Sequence, residues 1–226
     1  MQPRLFDGTT RLYISYICAC AQRVWISRNY NLIHFYLGLQ DKIKLVPLHL
    51  LDRPAWYKEK VCPVNKVPAL EHDGKIIGES LDLIKYDPEK KSGEELWSYV
   101  DEFLKIVYTS FKGERPKESG SAFDHLESAL GKLEDGLFFL GQFSGVDIAY
   151  IPFVERFQIF LSEVWKYDIT GGRLKLAAWI EAWEELNKIN AYKQTKIDPI
   201  VLVEHYKKCF TVMLLTQTQT RCHKLF

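Results

Sequence analysis

Arg11-Leu12-Tyr13-Ile14-Ser15-Tyr16-Ile17-Cys18-Ala19-Cys20-Ala21-Gln22-Arg23-Val24-Trp25 is the stretch whose reading decides the fold. Residues 12–17 are apolar, aromatic and β-branched, which predicts a strand. From Cys20 the pattern turns helical, with Val24 four residues on and Trp25 beside it. Cys18 therefore falls where a strand hands over to a helix. Unpaired N–H groups and the positive end of the macrodipole gather there, and both favour a thiolate. The position predicts a reactive cysteine, ionised and reachable, with a thiol more acidic than usual. The alternative is a buried structural cysteine, a common role for this side chain. Cys20 reads as structural, because two residues of separation are too tight for a Cys-x-x-Cys redox pair. No paired Cys/His cluster supplies further ligands, so no metal site is expected.

Composition narrows the classes. A chain of 226 residues holds one large domain or two small ones. With 47% hydrophobic and 26% charged residues it can bury a core and stay in solution. A formal net charge of +1 argues against nucleic acid as a main partner. The cysteines at 18, 20, 62, 209 and 222 are odd in number and give no disulfide framework. Residues 1–10 are polar and carry no signal-peptide pattern, so a reducing cytoplasm is expected. No apolar run approaches the roughly 18 residues of a spanning helix; the run at 212–215 is far too short.

The rest of the chain extends the first reading. Residues 31–37 are densely apolar and precede a helix stop at Gly38; they either lengthen the helix or form an exposed loop. Residues 42–50 alternate as a second strand, which completes a βαβ unit with parallel strands. Asp52-Arg53-Pro54-Ala55-Trp56-Tyr57 opens a short helical or irregular stretch, with Pro54 suited to a first helical position. Asp73-Gly74 between two apolar runs predicts a hairpin. Ser80 reads as the N-cap of a helix over 81–86. The order βαβ then ββα is the plan of a thioredoxin-like domain. Residues 87–93 form a charged, turn-rich linker. Helices are expected over 94–112, 123–133, 148–164 and 174–189, the third headed by a capping box at Ser144 and Asp147. The domains are therefore 1–86, thioredoxin-like, and 94–210, all-helical, with a loose tail over 211–226.

Five motifs occur in one order: Cys18-x-x-Ala21-Gln22-Arg23; Arg53-Pro54-Ala55-Trp56; Lys66-Val67-Pro68-Ala69-Leu70-Glu71; Glu79-Ser80; and Ser144-x-x-Asp147-Ile148-Ala149-Tyr150. Together they resemble a glutathione transferase of the cysteine-dependent type, closest to the plant lambda class and related to omega. The likeness covers residues 11–208. It implies a glutathione site on the first domain and a broader apolar site at the domain cleft. By position it implies that Cys18 forms a mixed disulfide with glutathione and that Val67 precedes a cis Pro68. It implies that Glu79 and Ser80 hold the γ-glutamyl end, and that Arg53 or Lys66 meets the glycine carboxylate. Each role has a physical basis. A backbone exposed before a cis proline can pair with an extended peptide, and a helix N-terminus receives a carboxylate. Three departures stand out: Ala19 and Cys20 occupy the family's usual Pro and Phe positions, residues 32–37 look inserted, and the stretch after Tyr86 looks shortened. These edits resemble an altered splice product or a gene-model error, and they bear on stability and domain docking more than on the chemistry of the site.

The expected activity is a glutathione-dependent thiol transfer on small glutathionylated or phenolic molecules. Glutathione is the co-substrate, no other cofactor is needed, and the protein is expected to be a monomer. Two rival activities remain. One is conjugation of glutathione to electrophiles through Tyr13, Ser15 or Tyr16. The other is binding of a flat flavonoid-type ligand, without turnover, among Trp97, Tyr108, Phe111, Phe153, Phe157 and Trp165.

Overall fold

The computed structural model describes residues 2–30, 42–84, 93–112, 116–132, 136–186 and 190–216. The chain divides into two compact units, one spanning Met1–Tyr86 and the other Asp87–Gln219. The reading of residues 31–37, and most of the 87–93 linker, lie outside the described residues.

In the first unit β1 (Arg11–Ile14), α1 (Ala19–Asn29), β2 (Lys44–Pro47), α2 (Ala55–Lys60), β3 (Ala69–His72), β4 (Lys75–Ile77) and α3 (Ser80–Ile84) follow in order. The sheet order is β2-β1-β3-β4. β1 runs parallel to β2 with Leu12 opposite Leu45, and antiparallel to β3 with Leu12 opposite Leu70. β3 and β4 pair antiparallel, with Leu70 opposite Ile77. The central strand buries all four of its residues, as its apolar run requires. The β3–β4 turn puts Asp73 at φ 47 and Gly74 at φ 72, the doubly positive pattern that favours Asp-Gly. Helix α1 packs on β1 and α3, burying Ala21, Val24 and Ile26 completely. Its last turn carries Arg28, whose Nε donates to the Ile43 carbonyl at 3.1 Å.

The second unit is helical: α4 (Glu94–Lys112), a 3-10 turn (Pro116–Ser119), α5 (Gly120–Leu130), α6 (Gly145–Trp165), α7 (Leu174–Leu186), α8 (Asn190–Lys193) and α9 (Pro199–Thr216). Phe103 of α4 centres the core, with ring centroids 5.8 Å from Phe123, 5.4 Å from Tyr150 and 5.9 Å from Phe157. Asp147 is the buried polar anchor of this unit. Its carboxylate accepts from Ser144 N–H at 2.9 Å and Ser144 Oγ at 2.8 Å, in the capping-box pattern. It also accepts from Phe139 N–H at 3.2 Å and Trp179 Nε1 at 2.9 Å, so one side chain ties the start of α6 to a loop and to α7. Burial pushes its carboxyl above the ordinary range, while these donors pull it down. At its far end α6 stops on Lys166 in the left-handed region (φ 54), where Tyr167 N–H returns to the Leu161 carbonyl at 3.1 Å.

Several local expectations change. β1 ends at Ile14, short of the expected strand end at residue 17, and β2 spans Lys44–Pro47 rather than 42–50. Pro54 sits at the N-cap of α2, with φ −59 and ψ 143, rather than inside the helix. Ser80 is the first helical residue of α3, and Glu79 before it holds φ 57. The chain is helical as far as Thr216, beyond the expected start of a loose tail at residue 211. Val212, Met213, Leu214 and Leu215 include strong helix formers, and these outweigh the lack of a clear apolar period. No helix among the described residues is long and apolar enough to cross a membrane.

Candidate functional site

Cys18 is the N-cap of α1, with extended backbone at φ −84 and ψ 117. Its carbonyl accepts the first helical bond, from Gln22 N–H at 2.9 Å, and its N–H donates to the Ser15 carbonyl at 3.0 Å. The helix thus starts at Ala19 without the proline the family resemblance leads one to look for there. The thiol does not cap the helix; it donates to the Val67 carbonyl oxygen at 3.7 Å. Cys18 is 1% exposed, where the sequence predicts a sulfur open to solvent. The cause is its direction, inward toward β3's approach.

Val67 and Pro68 are buried at the entry to β3, and the bond between them is cis. The two basic candidates differ in setting. Arg53 is half-buried and engaged, with Nε on Asn65 Oδ1 at 3.1 Å and Nη1 on the Leu50 carbonyl at 2.5 Å. The Lys66 side chain is exposed, while its backbone carbonyl accepts from Tyr57 OH at 2.6 Å. Glu79 is exposed and holds a left-handed backbone; Ser80 next to it is buried. Arg23, from the Cys18 helix, reaches Ser80 Oγ with Nη1 at a long 3.5 Å. One helix therefore carries both the candidate nucleophile and a guanidinium directed at the candidate γ-glutamyl site.

Sequence reasoning passed over a buried ionic network beside this site. Glu71 accepts from Arg11 Nη1 at 2.9 Å, from Tyr13 OH at 2.5 Å and from Phe6 N–H at 2.7 Å. Arg11 in turn clasps Asp7 through Nη2 at 2.8 and 2.9 Å. Arg11 and Glu71 are cross-strand partners in β1 and β3, so strand pairing was the signal that could have found them. Tyr13 is fully buried, and burial together with Glu71 pushes its phenol well above the ordinary tyrosine range. A phenol so held cannot stabilise a bound thiolate. Ser15 is also buried; of the three conjugation candidates Tyr16 is the exposed one, at 56%, tilted against Trp25 at 5.5 Å.

The aromatic residues offered for a flat ligand pack mostly on one another. Phe111, Phe153 and Phe157 are buried; Phe157 lies 5.1 Å from Tyr108, and Phe111 lies 5.3 Å from Trp165. A separate groove of about 650 Å³ in the helical unit runs between α6 and α9, lined by Gln158, Ile159, Ser162, Val203 and Lys207. Among the described residues, no group of three or more His, Cys, Asp or Glu is arranged to hold a metal ion.

Family models for the glutathione S-transferase N-terminal and C-terminal domains match residues 12–95 and 117–182. Glutathione S-transferase L1 of Arabidopsis thaliana is 59% identical over 221 residues, covering 91% of this chain and 90% of that protein. Protein IN2-1 homolog B of Oryza sativa is 56% identical over 220 residues, covering 90% and 86%. Among solved structures, glutathione transferase Omega 3C from Trametes versicolor superposes with a TM-score of 0.69 at 24% identity, covering 97% of this chain and 94% of that one, a likeness of fold. The thioredoxin-like sheet, the helical second unit, both matching domain models and the close relatives agree: the chain belongs to the glutathione S-transferase family, and within it to the lambda class of plants.

Proposed function

We propose that this enzyme is a glutathione-dependent thiol transferase that works through Cys18. The observation that carries the reading is the position of the Cys18 sulfur, at the N-terminus of α1 and 3.7 Å from the Val67 carbonyl oxygen. An extended glutathione paired with the Val67 backbone would lay its own sulfur against Cys18. Glu79 then faces the ligand's ammonium and Ser80 its α-carboxylate, while Arg53 or Lys66 meets the glycine carboxylate.

The chemistry is thiol–disulfide exchange and its reductive counterpart. Cys18 thiolate attacks the glutathione sulfur of a glutathionylated substrate. The bond from that sulfur to the substrate breaks, its electron pair leaves with the substrate, and the substrate is protonated. A mixed disulfide of Cys18 and glutathione remains. A second glutathione thiolate attacks it, releases oxidised glutathione and restores Cys18. The substrate gains two electrons as two glutathione sulfurs, one carried in on the substrate and one from the free thiol, leave joined as oxidised glutathione. Since Cys18 is 1% exposed, its sulfur must become accessible before it can attack. Small glutathionylated and phenolic molecules fit this reading, as does a monomer in a reducing cytoplasm.

The test is direct. Wild-type protein treated with oxidised glutathione should gain one glutathione, mapped to Cys18 by peptide mass spectrometry. Cys18→Ser should lose thiol transfer to background. Thiol transfer retained in that variant would refute the reading.

A further inference from the structure

We propose that Tyr57, together with Asn65, positions the Lys66–Val67 peptide for glutathione, an inference that rests on the role given to Val67 above. Tyr57 lies in α2 and is fully buried. Its phenol donates to the Lys66 carbonyl oxygen at 2.6 Å. A peptide unit is planar, so the Lys66 C=O and the Val67 N–H lie in one rigid plane and point opposite ways. A donor that holds the oxygen on one side therefore aims the Val67 N–H to the other. That N–H and the Val67 carbonyl are the groups an extended ligand needs for strand-like pairing.

The phenol is itself held. Its ring centroid lies 5.4 Å from that of Tyr13 and 6.0 Å from that of Trp56, and Tyr13 is anchored on Glu71. Asn65 supplies the second hold. It adopts φ 53, a left-handed backbone that asparagine tolerates better than most residues. Its N–H donates to the Cys62 carbonyl at 2.7 Å, and its side-chain oxygen accepts from Arg53 Nε at 3.1 Å. The residue before Lys66 and the carbonyl of Lys66 are thus each tied to a different part of the unit. The approach to β3 has one shape before a ligand arrives. A loop that must first select that shape binds more weakly, by the fraction of time it spends elsewhere.

The experiment uses the full chain in the Cys18→Ser background, so that binding is read without turnover. Titration calorimetry with reduced glutathione should show about five- to tenfold weaker binding for Tyr57→Phe, the size of a preorganisation effect of this kind. In the Cys18-containing enzyme the KM for glutathione should rise by a similar factor while kcat changes less. A purely structural role would lower the melting temperature and leave Kd alone well below the melt. Asn65→Gly frees the backbone to leave the left-handed region and removes the Arg53 bond; made in an Arg53→Ala background, where that bond is already gone, it should still weaken binding, and it carries the test if Tyr57→Phe does not fold. Affinity unchanged in folded Tyr57→Phe, or in Asn65→Gly where that variant stands in, overturns the proposal. A Cys18→Ser protein that binds no glutathione overturns the underlying role of Val67 instead.

Discussion

Replacing Asp147 by Ala should cost this protein more stability than most single changes. The carboxylate accepts four bonds: from Phe139 N–H at 3.2 Å, Ser144 N–H at 2.9 Å, Ser144 Oγ at 2.8 Å and Trp179 Nε1 at 2.9 Å. Ser144 Oγ can turn to another acceptor; the three N–H donors are fixed and become orphans in a site that is fully buried. A hydrogen bond to a charged group is worth about 1.5–3 kcal/mol net, which makes the gross loss roughly 5–9 kcal/mol. Removing the carboxylate also removes its own desolvation penalty of several kcal/mol. The net cost is then about 3–5 kcal/mol, and at about 2–4 °C per kcal/mol for a chain of this length the midpoint falls by about 6–20 °C. Asp147→Asn keeps one acceptor oxygen for Phe139 and Trp179 but turns a donor toward Ser144 N–H, so about 1–3 kcal/mol is expected. Urea unfolding followed by far-UV circular dichroism measures both. A loss below about 1 kcal/mol for Asp147→Ala would show that the four bonds do not hold the helices together, and the account of this unit's polar anchor would be wrong.

Tyr13→Phe should keep thiol transfer while lowering stability by about 1–3 kcal/mol, because it strips one donor from buried Glu71 and touches no reacting atom; a lost activity in a folded variant would place the phenol in the chemistry. Asp7 should shape the acid limb of the stability curve. The Thr9 N–H and the Arg11 guanidinium hold its carboxyl at about 2 against an ordinary 3.8, so the stability it contributes is present above 3.8 and lost as pH falls toward 2. In urea midpoints taken from neutral pH downward, Asp7→Asn should differ from the wild type above that window and converge with it below.

The fold was legible where local chemistry leaves little choice. Asp73-Gly74 demands two positive φ values and receives them, and the 3.6-residue spacing of Leu96, Val100, Phe103 and Val107 marks α4 to its ends. Ser144 and Asp147 were readable as a cap, yet the reach of Asp147 to Trp179 was not, since that bond spans 32 positions of sequence. The same limit hid the network of Arg11 and Glu71, which exists only once β1 and β3 pair. At the site, the strand-to-helix position of Cys18 was legible from the local order and spacing of residues. The inward turn of its sulfur was not, because that depends on where the Val67 carbonyl lies. Ser80 was read as a cap on residue type, but Glu79, held at φ 57, precedes a helix that already includes the serine.

The two rims of the four-stranded sheet are poor templates for a neighbour's backbone. Its outer strand β2 is only four residues long, begins with exposed Lys44 and finishes at Pro47, which has no amide proton to offer. The opposite rim, β4, is three residues long and starts with exposed Lys75. Each feature discourages a second molecule from zipping on, so this unit is guarded against fibre-like stacking.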